Sequence, residues 1–354
     1  MDPFTKMKHL QQLADYRKQL RENPVLRFLF LELTLRCNER CLHCGSSCGD
    51  VPSVELPVEV YYRLLDKVKA DFPKLPMLCI TGGEPLLRKE FFDILSYAHQ
   101  LGFHWGMTTN GTLITDETAA RLKETGMSTI SVSIDGLEET HDSFRRTKGG
   151  FQKAVEGIRN LLKYDFHAVQ VTSVITKKSL GELDALFALM EELDVDSWRV
   201  VHIEPIGRAL QLDGYALEKE DYRYLLDFIR SKRREGYPVT YGCTHYLGLD
   251  MEREVRDWYF LCNAGIYTAS IMANGDIGAC LDIERRDDTI MGNILKDDFT
   301  DVWKNRFSVF RHPLSEKNER CMHCDSRYFC EGGSFHSWDY EHNRPLVCFK
   351  DVLF

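Results

Sequence analysis

The chain has no apolar segment approaching the roughly twenty residues that a membrane-spanning helix needs; the longest candidate, Val25 to Leu31, runs straight into Glu32. A secretory signal is missing too, because charges are scattered through Met1 to Leu20 with no apolar core between them. The expected location is therefore the cytoplasm, with no membrane partner. There is no excess of positive charge either: 45 Lys and Arg stand against 54 Asp and Glu, a net charge of -9. That balance excludes broad attraction to nucleic acid or anionic lipid, both of which require clustered positive potential. Internal repeats and low-complexity tracts are absent. Cysteine, by contrast, is plentiful, and twelve thiols in a reducing compartment read as metal ligands or reactive groups rather than disulfides.

The chain divides into four stretches. Residues 1–26 form an amphipathic helix carrying Leu10, Leu13, Tyr16, Arg17 and Leu20 at helical spacing, closed by Asn23-Pro24. Residues 27–210 alternate short apolar runs with helical patterns. The expected strands are Phe28 to Leu35, Met77 to Thr81, Trp105 to Thr109, Thr129 to Ile134, Ala168 to Ile175 and Ser197 to Glu204. The expected fold class is α/β, a partial (β/α)6 TIM-like barrel; the same pattern also permits an open doubly wound sheet. Residues 211–260 form a bridging region with a polar helix near Glu218 to Glu235. Residues 261–354 form a small, turn-rich, cysteine-rich domain.

Cys37, Cys41 and Cys44 follow the first strand directly, which places three thiolates at the strand's C-terminal end, the face where barrel enzymes build their sites. Three ligands on a four-iron cube leave one iron open for a substrate or cofactor. The alternative is a zinc knuckle completed by His43 or Cys48. Other motifs follow in order: Thr81-Gly82-Gly83-Glu84-Pro85 after the second strand, Thr108-Thr109-Asn110-Gly111 after the third and Ser131-Val132-Ser133-Ile134-Asp135-Gly136 after the fourth. Arg145 comes next, and Glu204-Pro205-Ile206-Gly207-Arg208 ends the sixth. This series resembles the radical S-adenosylmethionine (SAM) superfamily over residues 28–208. The resemblance implies a [4Fe-4S] cluster on Cys37, Cys41 and Cys44 that binds SAM. It also implies SAM contacts from Gly82, Gly83, Glu84, Pro85, Thr109, Asn110, Ser131, Ser133, Asp135 and Arg145.

The C-terminal cysteines run Cys262-x12-Gly275-x4-Cys280, then Cys321-x2-Cys324-x5-Cys330, then Cys348. This resembles the SPASM extension, which holds auxiliary iron–sulfur clusters on radical SAM enzymes that often modify peptides. The resemblance implies one cluster on Cys321, Cys324, Cys330 and Cys348, with Cys262 and Cys280 left for another. Serine stands at position 334 where that pattern has a further cysteine, and a neutral hydroxyl is a poor iron ligand. The Cys262/Cys280 site is therefore expected to bind a four-iron cluster of unusual ligation with help from Cys243 and an oxygen ligand such as Asp282, to keep an iron open for substrate, or to be lost or reduced to a two-iron cluster. A pair of zinc sites is the alternative for the whole region.

The resemblance implies reductive cleavage of SAM and hydrogen abstraction from a peptide or protein, ending in a cross-link, thioether, oxidation or epimerisation. Asp282 is the candidate base, and Cys48 and Cys243 are candidate hydrogen donors. A low-potential electron donor such as flavodoxin or ferredoxin is implied. With fewer than thirty residues before the first strand, leader recognition is expected to use the barrel mouth or a separate leader-peptide-binding protein. The competing readings are a small-molecule radical SAM dehydrogenase and a non-catalytic iron–sulfur electron-transfer or assembly protein.

Overall fold

The computed structural model describes residues 3–50, 54–242 and 245–353. It opens with helix α1 (Pro3–Glu22), which buries Leu10, Leu13, Arg17 and Leu20 and leaves Tyr16 exposed. Seven parallel strands then follow in chain order: β1 (Phe28–Glu32), β2 (Met77–Thr81), β3 (Trp105–Thr109), β4 (Met127–Ser133), β5 (Ala168–Ile175), β6 (Ser197–His202) and β7 (Val239–Tyr241). Helices α2 (Val58–Asp71), α3 (Phe91–Gln100), α4 (Asp116–Glu124), α5 (Glu138–Arg145), α6 (Gly150–Leu161), α7 (Leu183–Leu193) and α8 (Lys219–Arg234) lie between them.

Residue pattern explains both layers. In β5 burial alternates at every residue, so Val169, Val171, Ser173 and Ile175 face the helices while Gln170, Thr172 and Val174 face the other way. In α6 the apolar residues Phe151, Ala154, Val155, Ile158 and Leu161 recur at helical spacing and are buried. Trp105 and Trp198 are wholly buried in this layer, and each indole N–H finds an acceptor, Thr125 O at 3.1 Å and Ser173 Oγ at 2.9 Å.

The cysteine-rich region joins the same sheet. Strand β8 (Thr268–Ile271) runs parallel to β1 along its free edge, pairing Thr268 with Phe28, and β9 (Asp276–Gly278) and β10 (Gly292–Asn293) extend that side antiparallel. The sheet thus begins at β10 and ends at β7, an incomplete barrel of α/β class with six of its strands where the residue pattern predicts them. Strands β7 and β8 were not expected. The first is three residues long; the second lies in a turn-rich stretch whose partner strand is far away in the chain. Among the described residues no helix is long and apolar enough to cross a membrane.

Candidate functional site

All seven parallel strands end on one face, and the loop carrying Cys37, Cys41 and Cys44 crosses it. What distinguishes this loop is the number of neighbouring segments that hold it. From β2 the chain continues beside it: Leu33 N donates to Thr81 O at 3.0 Å, Gly83 N to Thr34 O at 2.8 Å and Glu84 N to Arg36 O at 2.9 Å. The glycines are required for that approach. A Cβ at Gly82 would meet Thr34 O at 2.4 Å, and one at Gly83 would meet Arg36 O at 2.1 Å and Cys37 Cβ at 2.9 Å.

Glu84 is fully buried and accepts from Thr109 Oγ1 at 2.9 Å, Asn110 N at 3.0 Å and Leu86 N at 3.3 Å, so it ties the β2 loop to the β3 loop. Burial raises its carboxyl to about 7. Pro85 starts the short turn beyond it. Asn110 in turn reaches the cysteine loop, its Nδ2 donating to Asn38 Oδ1 at 2.8 Å.

From β4 comes a buried ion network. Arg145 donates through Nε to Asp135 Oδ2 at 2.7 Å and through its terminal nitrogen to Glu39 Oε2 at 2.9 Å, and Glu39 lies inside the cysteine loop. Burial alone would raise the Asp135 carboxyl, but Arg145 with His43 and His141 holds it below its ordinary value. The guanidinium expected to grip a ligand is thus committed to two internal carboxylates. Ser131 bonds Thr172 across the sheet at 2.7 Å, and Ser133 ends β4 half-buried. From β6, Arg208 donates to Cys41 O at 2.8 Å and to Cys48 O at 3.0 Å, and its own amide donates to Cys44 O at 3.2 Å. Gly207 has φ +53°, and a Cβ there would strike Cys44 O at 2.4 Å and Gly45 O at 2.5 Å.

The thiols differ within this frame. Burial pushes Cys37 up to about 11 and Cys41 up to about 12, whereas a hydrogen bond from the Cys48 thiol lowers Cys44 to about 6. Cys48 N also donates to Cys44 Sγ at 3.3 Å. Cys48 is buried as a partner of Cys44 rather than displayed at the mouth. His43 stacks on Phe144 with ring centres 4.4 Å apart, and its Nε2 lies 3.9 Å from Asp135. Ligands on one zinc stand roughly 3–4 Å from one another. Among the described residues only His202, Glu204 and His245 offer three ligand atoms within 4.8 Å. The three thiols of the loop are therefore not all within 4.8 Å of one another, wider than a single zinc needs. Cys243 lies outside the described residues.

The cysteine-rich region supplies a second and a third element. Cys321, Cys324, Cys330 and Cys348 line one cavity with His245, Tyr246 and Phe349, and burial pushes Cys330 up to about 12. Cys262 and Cys280 share Tyr340 as a neighbour: burial raises its phenol, and both thiols add to the effect. Ser334 is buried, 3.4 Å from His336 Nε2. The segment after Cys280 reaches the cysteine loop. Arg285 donates to Glu32 Oε1 at 2.6 Å and to Ser46 Oγ at 3.3 Å, and exposed Asp282 lies beside Gly45, where a Cβ would be 3.4 Å from its Oδ1.

Sequence reasoning did not single out Glu39, Asn38, His202 or His245, and it named Glu204 only as part of the motif that ends the sixth strand. Asn38 and Glu39 fall between ligand cysteines and look like spacers. His202, Glu204 and His245 gave no signal as a trio, since His245 is remote from the other two in the chain.

Residues 31–190 match the sequence profile of the radical SAM superfamily, and residues 262–325 match that of the SPASM iron-sulfur cluster-binding domain. The chain is 29% identical to an AdoMet-dependent heme synthase of Methanosarcina barkeri, over 92% of this chain and 97% of that protein. It is 32% identical to the mycofactocin maturase MftC of Mycobacterium tuberculosis, over 85% of this chain and 76% of that protein. Among solved structures it resembles Streptococcus suis SuiB bound to S-adenosylmethionine, with a TM-score of 0.71 and 19% identity over 90% of this chain and 76% of that one. It also resembles anSMEcpe with bound AdoMet and a peptide, with a TM-score of 0.72 and 20% identity over 92% and 94% of the two chains. The likeness to these two structures is one of fold.

Proposed function

Since the chain belongs to the radical SAM superfamily and carries a SPASM iron–sulfur domain, we propose that it modifies a peptide or protein by abstracting hydrogen from a carbon and oxidising the resulting radical. Membership implies a [4Fe-4S] cluster, S-adenosylmethionine and auxiliary iron–sulfur clusters. Cys37, Cys41 and Cys44 would hold the cluster, and with S-adenosylmethionine bound there it would supply methionine and a 5′-deoxyadenosyl radical on reduction.

The protein's own part is positioning. Glu84, Arg145 and Arg208 fix the loop from three strand ends, and the buried Glu84 carboxyl, poised near neutrality, is the group available to accept from an ammonium at that loop. The carrying observation is the seat of the 280–285 segment: Asp282 and Arg285 reach the cysteine loop from a segment that begins at an auxiliary ligand, Cys280. A substrate at the mouth would thus lie between the radical source and an electron acceptor. Asp282, exposed there, is placed to take the proton released on oxidation. Cys48, tied to Cys44, is poorly placed to return a hydrogen, which favours an oxidative outcome over epimerisation.

A peptide is the preferred substrate because a mycofactocin maturase aligns with 85% of the chain at 32% identity. The near end-to-end alignment with an AdoMet-dependent heme synthase favours a second reading, a radical step in the making of heme. A low-potential carrier such as flavodoxin or ferredoxin would deliver electrons, and a separate leader-binding protein would present a peptide. The test is anaerobic: reduced, reconstituted protein with SAM should release 5′-deoxyadenosine, and Cys41→Ala should not. Mass spectrometry then separates the substrates. Loss of hydrogen from a peptide encoded beside the gene supports the proposal; conversion of a porphyrin to heme, with the peptide unchanged, overturns it.

A further inference from the structure

His202 closes β6, Glu204 follows two residues later, and His245 comes from the segment after β7 that also walls the four-cysteine cavity. All three are buried. Glu204 Oε1 lies 2.9 Å from His245 Nε2 and 3.1 Å from His202 Nε2. Two ligand atoms bound to one ion at about 2.0–2.1 Å stand roughly 3–3.4 Å apart, so Glu204 already stands at a shared-metal distance from each imidazole, and all three ligand atoms lie within 4.8 Å of one another. The outer atoms are also held. The Tyr241 hydroxyl is 2.5 Å from His202 Nδ1, and Ser337 Oγ donates to Glu204 Oε2 at 3.0 Å, the kind of support that fixes ligand orientation around metals.

Two observations favour an ion over hydrogen bonds alone. His202 Nε2 is buried and, although it lies 3.1 Å from the carboxylate, makes no well-aligned hydrogen bond with it. And among the described residues no lysine or arginine pairs with Glu204, so a buried carboxylate lacks the permanent cation that normally accompanies one.

We infer that His202, Glu204 and His245 form a mononuclear divalent-metal site, with zinc as its occupant, separate from the iron–sulfur centres. Two imidazoles and one carboxylate suit zinc better than magnesium or calcium, which prefer all-oxygen shells. Its burial makes it a fastener: it would join the end of β6 to the 245 and 337 segments, and so the barrel to the wall of the four-cysteine cavity.

The experiment uses full-length protein with its clusters reconstituted, given zinc sulfate and then desalted. Elemental analysis should find close to one zinc per chain, and zinc-edge X-ray absorption should show nitrogen and oxygen neighbours at about 2.0–2.1 Å. Glu204→Gln keeps the shape but removes the charge, and should weaken zinc binding at least about tenfold with iron and sulfide content unchanged. Zinc should raise the melting temperature of the wild type and not of the variant. A wild-type chain that retains no zinc, a sulfur shell at about 2.3 Å, or a Glu204→Gln protein that keeps its full zinc overturns the assignment. The absorption measurement needs no variant, so it decides the matter even if the substitution fails to fold.

Discussion

Glu84 accepts bonds from Thr109, Asn110 and Leu86 in a fully buried site, and burial lifts its carboxyl from an ordinary 4.5 to about 7. The folded chain therefore holds a proton that the unfolded chain releases between those values, and stability should fall as pH rises from about 4.5 to 7. Glu84→Gln should flatten that slope, as denaturant unfolding of the cluster-free protein at a series of pH values will register. Arg145 makes the opposite case. It compensates both Glu39 and Asp135, so Arg145→Met leaves two buried carboxylates unpaired and should cost roughly 3–5 kcal/mol, read from the denaturation midpoint. Both residues were visible in the sequence because they sit in motifs. Their partners were not: that Arg145 would meet Glu39 follows from how α5 folds back on the cysteine loop, and no spacing between residues 39 and 145 encodes it.

The loop between β1 and α2 is the element on which the chemistry rests, and its shape is imposed from outside. Gly83→Ala would press a methyl group against Arg36 O and Cys37 Cβ. Iron at the N-terminal site should then be lost, about four per chain, while auxiliary iron stays, as low-temperature electron paramagnetic resonance can distinguish. Arg208→Ala removes donors to Cys41 O and Cys48 O and should slow 5′-deoxyadenosine release about tenfold or more, measured chromatographically in single turnovers. Elements with a strong apolar rhythm were legible at this scale; β2, β3 and β5 begin and end where the residue pattern places them. Helix α5 was not, because its eight residues bury only His141, Phe144 and Arg145 and so carry no apolar stripe.

Across the whole molecule, the barrel and the cysteine-rich region share one sheet and one mouth. The clearest test of the composite is Ser334, buried where the SPASM pattern has a thiol. Ser334→Cys should raise iron in the reconstituted protein from about eight to about twelve per chain, with sulfide rising in step, if the site near Cys262 and Cys280 is the deficient one. Helix α1 is drawn into the same assembly. Arg21 grips Glu331 with two bonds of 2.6 Å, and Arg17 donates to Phe329 O at 2.7 Å, which steadies the turn beside Cys330. The sequence showed that helix and that turn separately, but not that they touch, since contacts between distant segments leave no local periodicity.

The pairing of β8 with β1 also sets an order of events on the ribosome. Until Thr268 to Ile271 have emerged, the outer backbone edge of Phe28 to Leu31 has no companion, and the nascent chain carries an open, sticky border. The topology of the sheet thus leaves one edge of its first strand open to wrong pairing until a distant segment arrives to cover it.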